Sequence, residues 1–242
     1  MRTIRGIALG TYFAAGADAA KATPNSSQMR GLVYAVKDNR EPPNKKQLVD
    51  HPLHPARRPI FVDRTNAIEY VTAMLANRVP RLAKFFGADD PRSITLVPVP
   101  SSEVTATTIE TARFRTLRLC RALAGVGFGN VAVLATQRER VVPKTRGMRR
   151  SADEILRGLI RTAIPMPRST TIVLVDDNVQ SGKSIATVDR ILGGARETCA
   201  FAVAVTDAQK CSDALQPRRF TIEYDAESST LDVRCAPDPQ RR

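Results

Sequence analysis

The sequence predicts an α/β fold: a mostly parallel sheet flanked by helices, with a helical N-terminal extension and a short C-terminal β-hairpin. Three observations predict it. Between residues 93 and 210, short apolar runs alternate with helix-length amphipathic segments, the pattern that builds parallel sheets. Hydrophobic residues make up 43% of the chain but aromatic ones only 5%, with no Trp, so the core is aliphatic and suits strands buried on both faces. A length of 242 residues fits one such domain with extensions.

The elements follow in chain order. Residues 1–16 read as a strand: the run from Ile7 to Ala15 follows Arg2 and Arg5 like a leader sequence, but it is short and broken by Gly10 and Thr11. Met29, Leu32, Val33 and Val36 share one face of a helix from Gln28 to Asp38. Five prolines between 39 and 59 enforce a loop. Ile68, Val71, Leu75, Val79, Leu82 and Phe86 recur at helical spacing, which predicts one helix from Asn66 to Phe86, bent near Pro80. Strands are expected at Ile94–Val99, Val131–Ala135, Thr171–Val175 and Thr198–Val205, and helices at Glu103–Leu123, Ala152–Thr162 and Lys183–Leu192, the last ended by Gly193 and Gly194. Two late strands, 219–224 and 230–235, flank a polar turn. This divides the chain into an N-terminal region, 1–92, a core, 93–210, and a hairpin with a frayed tail, 211–242.

The net charge of +13 favours polyanionic partners: phosphorylated metabolites, acidic lipid, or DNA or RNA contacted through the basic surface. No apolar run reaches membrane-spanning length, so no membrane partner is expected. Cys120, Cys199, Cys211 and Cys235 lie far from one another and from His51 and His54, a placement that suits reduced thiols in a cytoplasmic protein rather than a zinc site.

The chemistry concentrates in Val173 to Ser184, Val-Leu-Val-Asp-Asp-Asn-Val-Gln-Ser-Gly-Lys-Ser. In open α/β sheets, ligands bind beyond the carboxyl ends of the strands. Ser181, Gly182, Lys183 and Ser184 open a helix there, where free backbone N–H groups attract anions. Gly182 allows close backbone approach, the hydroxyls of Ser181 and Ser184 donate, and Lys183 adds a cation. Asp176 and Asp177 repel phosphate and so suit another part of the ligand, a vicinal diol or a hydrated Mg²⁺. A ligand with an anionic end and a diol end is a ribose 5-phosphate. A nucleotide-binding P-loop is disfavoured, because that pattern needs Gly where the chain has Asp177.

This segment resembles the signature of type I phosphoribosyltransferases: apolar strand, two acids, a short turn, then a hydroxyl residue, Gly and another hydroxyl residue. Val97-Pro-Val-Pro100 and Met29 to Lys37 resemble the ComF-like subgroup, without its N-terminal zinc ribbon. The resemblance implies a type I phosphoribosyltransferase-like fold that binds phosphoribosyl pyrophosphate or a nucleotide, with Mg²⁺ bridging ribose and diphosphate. It implies that Asp176 and Asp177 hold the ribose diol and stabilise charge during transfer. Val179, Gln180, Ser181, Gly182, Lys183 and Ser184 would hold the 5-phosphate. Ser101 and Ser102 would bind diphosphate; a plain helix cap at Ser102 is the other reading of that pair. The basic stretch 136–150, above all Arg149 and Arg150 ahead of a Ser151-capped helix, would close over the diphosphate as a hood. Relatives often form homodimers.

Two functions from different classes remain open on sequence grounds. One is transfer of a phosphoribosyl group to an unidentified nitrogenous acceptor. The other is a non-catalytic phosphoribosyl-ligand sensor or nucleic-acid-associated protein on the same fold, favoured by the basic charge and the lack of an acceptor motif.

Overall fold

Ile172, Val173, Leu174 and Val175 are all buried, and because strand side chains alternate they serve two different cores. Val173 and Val175 pack with Met29, Leu32, Leu75, Leu119 and Phe201. Ile172 and Leu174 pack with Ile185, Val188, Phe220 and Tyr224. The molecule is therefore a three-layer α/β structure built around one central sheet. The computed structural model describes residues 1–13, 24–37, 47–49, 60–110, 114–140, 151–167, 171–193, 197–207, 217–228 and 230–237.

The strands are β1 (Arg2–Phe13), β2 (Gln47–Val49), β3 (Ile60–Val62), β4 (Ile94–Pro98), β5 (Asn130–Val131), β6 (Ala135–Gln137), β7 (Leu159–Arg161), β8 (Thr171–Val179), β9 (Glu197–Asp207), β10 (Arg218–Tyr224) and β11 (Val233–Pro237). The helices are α1 (Pro24–Val36), α2 (Ala67–Ala76), α3 (Val79–Phe85), α4 (Arg115–Gly125), α5 (Ala152–Gly158) and α6 (Lys183–Ile191). The main sheet has seven strands in the order β11-β10-β1-β9-β8-β4-β5. Contacts from β1 through β9, β8 and β4 to β5 are parallel; β10 and β11 add an antiparallel hairpin. The sheet is thus mixed and mostly parallel. Strand β1, from the N-terminal region, sits inside it between β9 and β10.

A buried polar knot fastens this arrangement. Asp189 of α6, 1% exposed, accepts hydrogen bonds from Arg2 Nε at 2.5 Å, Arg2 Nη2 at 3.2 Å and Tyr224 OH at 2.6 Å. Arg2 also reaches Thr198 Oγ1 at 3.2 Å. One carboxylate thereby ties α6 to β1 and β10, and Arg2 carries the tie on to β9.

Several boundaries differ from expectation, each for a local reason. The expected helix from Asn66 to Phe86 is two helices, α2 and α3, broken at Asn77 and Arg78. Pro80 has no N–H and its ring excludes the carbonyl four residues back, so it opens α3 instead of bending one long helix. In place of one helix from Glu103 to Leu123, a 3-10 turn at Ala106–Thr108 precedes α4. Thr105 and Thr108 close a capping box there, and side-chain bonding of this kind competes with helix continuation. The expected strand Val131–Ala135 is divided between β5 and β6, and the expected helix Ala152–Thr162 ends at Gly158, where β7 turns back antiparallel to β6. Ser151 does cap α5: its Oγ accepts from Glu154 N at 3.1 Å, and Glu154 Oε2 accepts from Ser151 N at 2.8 Å.

Among the described residues, no helix is long and apolar enough to cross a membrane. Cys120, Cys199 and Cys235 are free thiols; burial raises all three, Cys199 and Cys235 to about 11. Cys211 lies outside the described residues.

Candidate functional site

The sheet order creates the site. From β4 the chain moves one way to β5, whereas β8 leads the other way to β9. The loops beyond β4 and β8 therefore diverge and leave a crevice at the carboxyl ends of these neighbours. A cleft of about 460 Å³ opens there, lined from both strand ends by Val99, Pro100, Ser101, Ser102, Asp176, Asp177 and Asn178, and by Ser184 of α6.

Strand β8 runs on through Val179, beyond the expected end at Val175. Asp176 and Asp177 are therefore held by strand geometry. Successive residues alternate faces, so Asp177 falls on the face of Val173 and Val175, which α1 helps to cover. There its Oδ1 meets Lys37 Nζ at 3.2 Å. Asp176 falls on the other face, and its Oδ1 accepts the Asp177 backbone N–H at 2.8 Å. Burial, reinforced by the Asp177 carboxylate, pushes Asp176 up to about 7 against the pull of Lys37 and of the Asp177 and Asn178 backbone N–H groups. Near neutral pH the pair thus carries less than its full formal charge. Asn178 Nδ2 donates to Thr206 Oγ1 at 3.0 Å, which fixes that side chain at the ends of β8 and β9.

The turn before α6 is shaped by Gly182, with φ +73°. A Cβ here would lie 2.9 Å from Ile222 Cγ1 of β10. The glycine is needed for its left-handed backbone and for packing on β10, a reason the sequence reading, which gave it to phosphate approach, did not contain. Val179 is buried, Gln180 is exposed, and Ser181 and Lys183 are half-buried; of this turn and the helix start, Ser184 lines the cleft.

On the opposite wall no helix starts at Ser102. Ser101 O accepts from Val104 N at 3.2 Å in a turn, so the expectation of a plain cap gives way to an irregular loop that lines the cleft. Thr116 Oγ1 donates to Val99 O at 2.8 Å, pinning the first turn of α4 against the exit of β4. Adjacent Arg115 consequently reaches the cleft, and its Nε is buried with no hydrogen-bond partner among the described residues. Gln137, 4% exposed, joins this wall from β6. The basic segment begins there: Arg140 lies 3.6 Å from Glu103. Arg149 and Arg150 lie outside the described residues.

The structure thus brings together Asp176, Asp177, Ser184, Ser101 and Ser102. It adds Lys37, Arg115, Gln137 and Asn178, which the sequence reading did not assign to the site. Lys37 ends an amphipathic helix and Arg115 opens an Arg-rich one; only the packing tells that both ends face one crevice. The cleft is thus lined by two carboxylates, by serine hydroxyls from both loops and by the cations of Lys37 and Arg115. No protein-family model matches the chain, and no curated protein is significantly similar to it.

Proposed function

We propose that this cleft binds phosphoribosyl pyrophosphate, or a ribose 5-phosphate nucleotide, on a type I phosphoribosyltransferase-like fold, and that the protein transfers the phosphoribosyl group to a nitrogenous acceptor. The observation that carries the proposal is the meeting of the two loops at the divergence of β4 and β8: adjacent carboxylates and a helix start from one, a Ser-Ser turn from the other, beside an arginine whose buried Nε has no partner among the described residues. In this reading Asp176 and Asp177 engage the ribose hydroxyls, and the segment from Val179 through Gln180, Ser181, Gly182 and Lys183 to Ser184 receives the 5-phosphate at the start of α6. Ser101, Ser102 and Arg115 face the diphosphate, and Arg149 and Arg150 are assigned to the same group by the family resemblance alone.

In the reaction the anomeric C–O bond breaks, diphosphate leaves with the electron pair, and a C–N bond forms on the acceptor. Positive charge develops on the ribose ring, where the Asp177 carboxylate stabilises it. Arg115 stabilises negative charge on the departing group by paired N–H donation. Among the described residues no third His, Cys, Asp or Glu joins the carboxylates in a metal-binding group. A Mg²⁺ would take most of its ligands from phosphate and water, at the diphosphate and away from the Lys37–Asp177 pair. When bound, that ion neutralises charge on the diphosphate.

Calorimetric titration with phosphoribosyl pyrophosphate and Mg²⁺, and separately with ATP and Mg²⁺, tests the reading. The phosphoribosyl ligand binds the wild type and not the Asp176→Asn, Asp177→Asn double variant; binding of ATP alone refutes the proposal. Incubation with a panel of bases then yields pyrophosphate. Ligand binding without release on any base would establish the non-catalytic sensor instead.

A further inference from the structure

Among the described residues, Lys37, directly after α1, is the one residue of that segment that lines the cleft, and the way it is delivered separates it from a chance surface pair. Its backbone N–H donates to Val33 O at 2.9 Å, so it continues the last turn of a helix anchored by buried Met29, Leu32, Val33 and Val36. The ammonium is therefore aimed from a packed element, and its side chain is 29% exposed against 18% for Asp177. A single ammonium faces two adjacent carboxylates. It has three N–H donors; its Nζ lies 3.2 Å from Asp177 Oδ1, and Lys37 lines the cleft, so donors remain for a ligand there.

Resting on the phosphoribosyl reading above, we propose that Lys37 is a built-in counter-ion for the carboxylate pair, and that it lets the cleft bind its phosphorylated ligand without a divalent metal. A metal ion beside two acids serves two purposes: it removes their repulsion toward an incoming anion, and it orients ligand oxygens. The Lys37 ammonium performs the first on Asp177 and has donors left for the second. A divalent ion brought to the same carboxylate would meet the ammonium at close range and be repelled. The metal is thereby confined to the diphosphate, where it serves the departure of the leaving group, while Lys37 serves binding. This gives the N-terminal region a role at the core's ligand site.

The test is calorimetry of the full chain with phosphoribosyl pyrophosphate, in excess Mg²⁺ and in EDTA, for wild type, Lys37→Met and Lys37→Arg. Wild-type affinity in EDTA stays within about tenfold of that in Mg²⁺. Lys37→Met loses about 10- to 100-fold in EDTA, the size of a lost hydrogen bond to a charged group, and recovers most of it in Mg²⁺. Lys37→Arg keeps binding in EDTA. Loss of wild-type binding in EDTA overturns the proposal, as does a Lys37→Met protein that matches wild type there. If a variant does not fold, the wild-type comparison alone decides. A wild type that binds in neither condition removes the phosphoribosyl reading itself, and this inference with it.

Discussion

Asp189, buried in α6, and Asp176, half-buried near the end of β8, are treated in opposite ways. Asp189 has an arginine on both oxygens and a tyrosine hydroxyl on one; the Arg2 guanidinium is held above its ordinary range by this partner, and the Tyr224 hydroxyl is pushed up by burial and by the same bond. Asp176 has backbone N–H groups, a like-charged neighbour and a cation that bonds to the neighbour instead. A fully satisfied buried acid fastens a fold. A partly satisfied one at the mouth of a crevice stores a demand for a partner that a ligand can meet.

The comparison can be broken first at Asp189. Asp189→Ala removes the buried carboxylate from both the part-buried Arg2 and Tyr224 and is expected to cost about 3–5 kcal/mol in urea unfolding; a loss below about 1 kcal/mol would show that the knot is dispensable. Between the two acids, Gly182→Ala forces a side chain into a left-handed turn against Ile222, with an expected loss of about 1–3 kcal/mol. Asp176 should respond with the opposite sign. Its folded pKa, about 7, lies above the unfolded value, so its ionisation erodes stability as pH rises from about 4 to about 7. Asp176→Asn removes that cost and raises the stability of the ligand-free protein by about 1–2 kcal/mol at pH 8, with little change at pH 4, while weakening ligand binding. Thermal unfolding across that range checks it; equal effects at both ends would refute the assignment. The smallest expected change is in Lys37→Met, which costs at most about 1 kcal/mol of stability because the pair is partly exposed. It also moves the Asp176 titration further up, which carboxyl NMR reads directly.

What the sequence disclosed was local. The run Thr171–Val175, the acids after it and the start of α6 need no distant partner to be recognised, and each is present. The helical face of Met29, Leu32, Val33 and Val36 was equally readable, because periodicity alone marks it. Readings failed where nearby side chains or remote strands competed with propensity. Thr105 and Thr108 close a turn where a helix was expected, and Thr105 forms a bridge with Gln137. The strands β6 and β7 have three residues each, too few for alternation to show; their pairing across the basic segment is a tertiary fact. The same holds for the site. Asp176, Asp177 and Ser184 announce themselves by adjacency, whereas Lys37 and Arg115 become site residues only because packing brings their helix ends to one crevice.

The position of β1 carries a consequence for synthesis. It pairs in parallel with β9 on one edge and antiparallel with β10 on the other, so this strand finds its neighbours only after the distant segments that hold Cys199 and Phe220 have been made. Until then Ile4, Ala8 and Leu9, buried in the finished sheet, have no slot, and β9 has an open edge. Pairing at such sequence distance is slow, and an open apolar edge invites other chains. Arg2 and Arg5 place two charges near the start of this strand, and charge on an unpaired strand discourages pairing with other chains. Arg2 lies within β1 and bonds Asp189 of α6 and Thr198 of β9, so the buried knot forms only once β1 has joined the sheet.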